Sequence, residues 1–234
     1  MLIDFMRERL GYVLFLAGAV LLAGCGSGSD RVVATYAVTV TNAGANQPLS
    51  PPVVVIHREG YDGWTAGVSA STGLEKLAEG GDAADFIAEA NLNGNVETAK
   101  IGSGVVAPGG STIIQLSAPY SSDVRFTVAS MLVNTNDAFT GVNGVVIAGL
   151  GINEAATFYA RVYDAGTEIN LETAATVPGP AGGGEGFNAA RNDYGFVSIH
   201  GGMVTGDDGL TTSALNETHR FVGPVAKITV VRVS

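Results

Sequence analysis

Between residues 33 and 233 the chain falls into eight short stretches of strand-type sequence, and this pattern limits the fold more than any other feature. The stretches are 33–41, 53–58, 112–118, 124–133, 144–148, 157–163, 195–200 and 225–233, separated by segments rich in Gly, Asn and Pro. In the first, Tyr36, Val38 and Val40 alternate with Thr35, Ala37, Thr39 and Thr41, the period of a strand with one buried face. The second follows Pro51-Pro52 and is continuously apolar from Val53 to Ile56, which predicts burial on both faces. Only residues 72–92 read as helical. Thr72-Gly73-Leu74-Glu75 has capping-box spacing, Gly80-Gly81 ends a first helix, and Asp82 can cap a second with Phe86, Ile87 and Ala90 inward. Many strands and two short helices predict an all-β protein, an antiparallel β-sandwich of about eight strands with the helices over one end.

The amino-terminal segment predicts the compartment. Residues 10–22 are an apolar run of thirteen, short for a membrane span and of the length of a secretory signal core. Arg7 and Arg9 precede it, with Asp4 and Glu8 cancelling their charge; a start at Met6 would restore a net positive end. The run closes in Leu22-Ala23-Gly24-Cys25, which resembles the lipobox of bacterial lipoproteins, and Cys25 is the sole cysteine. The resemblance implies cleavage before Cys25 and lipidation of its thiol. By resemblance to enterobacterial lipoprotein sorting, Gly26 rather than Asp after the cysteine implies the outer membrane. The expected organisation is a signal peptide over 1–24, a Gly/Ser tether over 25–31 and one domain over 32–234.

Removing residues 1–24 leaves 10 Lys and Arg against 20 Asp and Glu, so the net charge stays at −10. Such a surface repels nucleic acid and attracts divalent cations. With no cysteine beyond Cys25, no internal disulfide is possible and the core alone must hold the fold. Two acidic turns stand out in this sparsely charged chain. One ends Leu132-Val133-Asn134-Thr135-Asn136-Asp137; the other is Tyr163-Asp164-Ala165-Gly166-Thr167-Glu168. Each follows a strand-type stretch, so Asp137, Asp164 and Glu168 converge if those strands end on one side. Three carboxylates with backbone carbonyls and water would suit Ca²⁺, which takes about 6–8 oxygens. The same aspartates also suit plain Asx turns.

In order along the chain, several motifs resemble the spondin domain, the amino-terminal β-sandwich module named after F-spondin. They are Tyr36-Ala37-Val38-Thr39-Val40-Thr41-Asn42, Gln47-Pro48-Leu49-Ser50-Pro51-Pro52-Val53, Gly73-Leu74-Glu75-Lys76-Leu77-Ala78-Glu79-Gly80-Gly81-Asp82, Ser130-Met131-Leu132-Val133-Asn134-Thr135-Asn136-Asp137, the turn 163–168, and Pro224-Val225-Ala226-Lys227-Ile228-Thr229-Val230. The resemblance spans about 33–233 and implies an eight-stranded sandwich similar in shape to calcium-dependent phospholipid-binding modules. It implies calcium ligands at Asp137 and Asp164, and at Glu168 where the animal protein has aspartate. The cysteines of animal spondin domains are missing here, so their disulfides do not carry over.

Other chemistry has little to stand on. His57, His200 and His219 lack metal-ligand spacing, Gly67-Val68-Ser69-Ala70-Ser71 lacks the last glycine of a nucleophile elbow, and the glycines of 179–186 precede no Lys-Ser/Thr. Asp207-Asp208-Gly209 reads as a turn, and Trp64 as core or exposed platform. The expected function is a calcium-binding, non-enzymatic adhesion or binding module. It would sit on a lipid anchor at the cell envelope, facing the periplasm or the exterior, with an envelope or matrix macromolecule as partner. The alternatives are a secreted glycan-acting hydrolase and a structural envelope lipoprotein with no small ligand.

Overall fold

The computed structural model describes residues 32–234. The signal segment (1–24) and the tether (25–31), Cys25 included, lie outside the described residues. The described residues are all-β, with nine strands in one nearly closed, antiparallel system and two α-helices. The strands are β1 (Val33–Asn42), β2 (Val53–His57), β3 (Val96–Ile101), β4 (Ser111–Pro119), β5 (Arg125–Met131), β6 (Ala138–Val146), β7 (Ala155–Asp164), β8 (Ser198–Ile199) and β9 (Ala226–Arg232). Their order is β3-β2-β5-β6-β7-β9-β1-β4, with β8 added beside β7. The end strands β3 and β4 meet through Lys100, whose Nζ donates to Gln115 O at 3.2 Å.

β7 joins the two halves. Ala155 to Ala160 pair with β9, and Arg161 to Asp164 pair with β6. Tyr36, Val38 and Val40 face the core between the halves, together with Val54, Ile56, Phe126, Leu132 and Ile228, as the alternation of β1 predicts. β2 is buried on both faces: Val54 and Ile56 point into that core, Val53 and Val55 into a second one. The second core lies beneath α1 (Thr72–Gly80) and α2 (Ala84–Leu92), where Leu74, Leu77, Phe86 and Ala90 meet Ala129 and Phe139. Each Leu or Phe buried there stabilises the fold by about 1.5–3 kcal/mol.

Several expectations are corrected. The helices cover the outer face of the β2-β5-β6 region rather than one end of a sheet. The cap of α1 is Ser71, not Thr72: its Oγ accepts the Leu74 N–H at 3.1 Å and donates to Glu89 at 2.6 Å. β3 is an additional strand, hidden by Glu97 and Lys100, the charges that commonly protect an edge. β6 begins at Ala138 instead of 144. Its Gly141 lets the β6 backbone approach Val128 O where a Cβ would collide. Trp64 is core, packed on Phe139 and Tyr163 at 5.1 and 5.4 Å.

Residues 172–193 form no strand or helix, as expected, yet they are tied down. Arg191 grips Glu75 of α1 through two hydrogen bonds of 2.8 and 2.7 Å, and Asn188 N donates to Glu79 at 2.8 Å. Ala181 N donates to Asn134 Oδ1 at 3.0 Å. The segment is thereby laid across α1 and against the 132–137 turn.

Candidate metal centre

The antiparallel pairing of β6 and β7 sets the two acidic turns side by side. Ala138 opens β6 opposite Asp164, the last residue of β7, and Ala165 N donates to Asp137 O at 3.2 Å. Thr135 shapes the first turn by taking the Ala138 N–H at 3.1 Å and donating its hydroxyl to Leu132 O at 2.6 Å. In the second turn Asp164 Oδ1 takes the Gly166 N–H at 2.7 Å, the Asx-turn geometry, and Gly166 has φ +70°. No side chain fits at Gly166, because its Cβ would run into the Phe196 backbone.

Asp137 is fully buried. Its Oδ2 accepts the N–H groups of Thr167 and Glu168 at 2.8 and 3.1 Å, plus the Thr167 hydroxyl at 3.2 Å. Its Oδ1 is buried without a partner. Burial, and then the charge of Asp164, push the carboxyl up to about 7 against these hydrogen bonds. Asp164 is nearly buried and uses its other oxygen to accept from Asn170 Nδ2 at 2.7 Å. The charge of Asp164 reaches two further groups. Asp193, with a buried unpartnered Oδ2, has its carboxyl raised by burial and then by Asp164. His200 is held below its ordinary value by burial, with Asp164 pulling the other way.

Glu168 belongs to a different neighbourhood. Its Oε1 accepts from Asn136 Nδ2 at 3.2 Å, while Oε2 is buried and unpartnered. Burial lifts its carboxyl to about 7, and the charges that add to this are Glu79 and Glu185. Ala138 and its cross-strand partner Asp164 share the side of β6 and β7 that faces the core between the sheets, whereas Glu168 lies toward Glu79 of α1.

The structure therefore brings Asp137 onto the backbone of 167–168 and within electrostatic reach of Asp164, and turns Glu168 toward α1. Among the described residues, no group of three or more His, Cys, Asp or Glu side chains is gathered closely enough to hold a metal ion. The donor chemistry nevertheless suits a hard cation: Asp137, Glu168 and Asp193 each carry one buried oxygen with no partner.

Three acidic residues absent from the sequence expectation share this environment. Glu79, buried on α1, has an unpartnered Oε1 and a carboxyl raised by burial. Its signal is readable afterwards: Glu75 and Glu79 follow Leu74 and Ala78 by one position, on the flank of the buried face. Glu172 has φ +57°, is buried, and is pushed to about 7 by burial and then by Asp208. Asp193 ends a segment without periodicity. Neither of the last two has a signal in the sequence. Asp208, by contrast, is a turn residue, hydrogen-bonded to Thr205 and paired with Arg220. His200 accepts the Gly202 N–H on its Nδ1 at 3.0 Å, and its Nε2 is buried without a partner among the described residues. The sequence matches no protein-family model and no curated protein.

Proposed function

We propose that this chain is a calcium-binding, non-enzymatic binding or adhesion module, held at the bacterial cell envelope through a lipid on Cys25. The observation that carries the metal reading is Asp137, a fully buried carboxylate with one oxygen unpartnered and a second acid, Asp164, beside it. Burying such a group without a counter-charge is costly, and a divalent cation offsets that cost where a proton otherwise would. Asp137 and Asp164 would supply the first carboxylate oxygens. Glu168 joins only if the 164–168 turn shifts, so binding is accompanied by a drawing together of the two turns.

A glycosidase acid or base works across an open cleft with two carboxyl groups about 5–9.5 Å apart, and the full burial of Asp137 speaks against that role for it. The cavity of about 410 Å³ beside β7 has no carboxylate in its lining. These features favour binding over glycan hydrolysis. β1 begins at Val33, opposite Pro119, and the acidic turns lie beyond its other end, where Asn42 pairs with Ala226 and Ala226 with Ala160, roughly 30 Å away along a ten-residue strand. Calcium calorimetry separates this reading from a structural lipoprotein with no small ligand. Metabolic labelling with radioactive palmitate, abolished in Cys25→Ala, tests the anchor.

A further inference from the structure

The cavity of about 410 Å³ lies where β7 changes partners. The β9 ladder reaches only to Ala160, and β8 pairs only with Tyr163 and Asp164. Between them, the edge of β7 at Arg161 and Val162 is bordered by two loops, 200–203 and 220–224, instead of a strand. These loops are fixed. His200 N donates to Val162 O at 3.1 Å, Val225 N to Ala160 O at 3.2 Å, and the His200 ring stands edge-on to Phe221 at 5.2 Å. The cavity is thus preformed, and its volume is in the range of small-molecule sites.

Its lining is sharply divided in chemistry. Val162, Ile199, Met203, Phe221, Val222 and Pro224 give an apolar wall. Its polar side chains, Arg161, Arg220 and His200, are donors, His200 through Nε2 because its Nδ1 accepts the Gly202 N–H. Arg220 is already engaged by Asp208 and Glu217, but Arg161 is exposed and forms no ion pair among the described residues. The N–H groups of Gly201, Met203, Val222 and Gly223 donate to no protein acceptor among the described residues. No Asp, Glu, Asn, Gln, Ser or Thr lines the cavity, so it offers no side-chain acceptor to a polyol. A guanidinium fork beside free backbone donors can recognise a carboxylate, and the apolar wall a hydrocarbon body.

We propose that this cavity binds a small organic carboxylate with an apolar body, its carboxyl group on Arg161 and the neighbouring amides and its body against Phe221. Neither Asp137 nor Asp164 lines the cavity, so the site uses no proposed calcium ligand. The test is a titration of ¹⁵N-labelled protein with phenylacetate, 2-phenylethanol and glucuronate, followed by amide shifts with calcium and with chelator. Phenylacetate is expected to move the amides of 201–203 and 221–223 saturably, and to bind about tenfold or more tighter than the alcohol or the polar acid, the gain of a charge-assisted hydrogen bond. Arg161→Gln is expected to weaken phenylacetate about tenfold with an unchanged melting temperature. No shifts at about 10 mM phenylacetate, a concentration well above typical small-ligand Kd values, would overturn the proposal. So would equal binding of 2-phenylethanol or glucuronate, or full binding by Arg161→Gln.

Discussion

Oδ2 of Asp137 accepts the backbone N–H of Thr167 at 2.8 Å, across thirty residues of sequence. This bond, with its companion from Glu168 N, locks the turn before β6 to the turn after β7. It also leaves Oδ1 buried and without a partner, so the element that joins the turns is the one with unmet electrostatic demand. The fold obtains its local order here from a carboxylate that must be protonated or compensated.

Stability in chelator should therefore fall as pH rises through neutrality. Asp137, Glu168 and Glu172 lose their protons near 7 in the folded chain but near 3.8–4.5 when unfolded. Between those limits the folded state holds protons that the unfolded state has released, so raising the pH favours unfolding until about 7, beyond which the penalty is complete. His57 and His200, held down by burial, act oppositely, but only below about 6.5. A melting temperature several degrees higher at pH 6.5 than at pH 8 is expected by calorimetry. Calcium should narrow this difference by replacing the protons.

Gly166→Ala should be severely destabilising. The substitution meets both a left-handed φ and the Phe196 backbone, so relief requires the 164–168 turn to move. A loss above about 3 kcal/mol is expected in chemical denaturation.

Arg191→Ala should loosen the 172–193 segment and leave Glu75, buried at 4 % exposure, without its cation. Removing one partner of such a pair costs about 3–5 kcal/mol when fully buried, and less here because Arg191 is itself partly exposed. Limited proteolysis should cut between 179 and 193 faster than in the parent chain. Cleavage at the parental rate would show that the ion pair does not hold the segment.

Tyr36→Phe should leave stability unchanged or raise it. Tyr36 is fully buried in the core, and its hydroxyl has no hydrogen-bond partner among the described residues. Deleting an unsatisfied buried hydroxyl removes a cost of about 1–3 kcal/mol while keeping the ring. A drop in the unfolding midpoint would reveal a partner for that hydroxyl.

The sequence was most legible where burial sets a period. β1, β2, β4 and β7 follow from alternation or from continuous apolar runs, and α1 and α2 from Leu74, Leu77, Phe86 and Ala90. β3 was concealed because an edge strand carries charge, and the start of β6 because Gly141 answers to a backbone contact. For the candidate site, the sequence indicated which turns are acidic but not which way their side chains turn; in the folded chain Glu168 lies toward Glu79. Glu172 was invisible because only the folded backbone places it at positive φ.

The most direct test of the account is calcium titration by isothermal calorimetry, on the wild-type chain and on Asp164→Asn, at pH 7 in two buffers of different ionisation enthalpy. The account predicts saturable binding, with a Kd that for an extracellular module can be as weak as about 10⁻⁴–10⁻³ M. It also predicts a buffer-dependent heat from proton release at Asp137, and an affinity at least about tenfold lower in Asp164→Asn. No heat beyond dilution up to about 10 mM calcium, some tenfold above that range, or equal binding by Asp164→Asn, would contradict it.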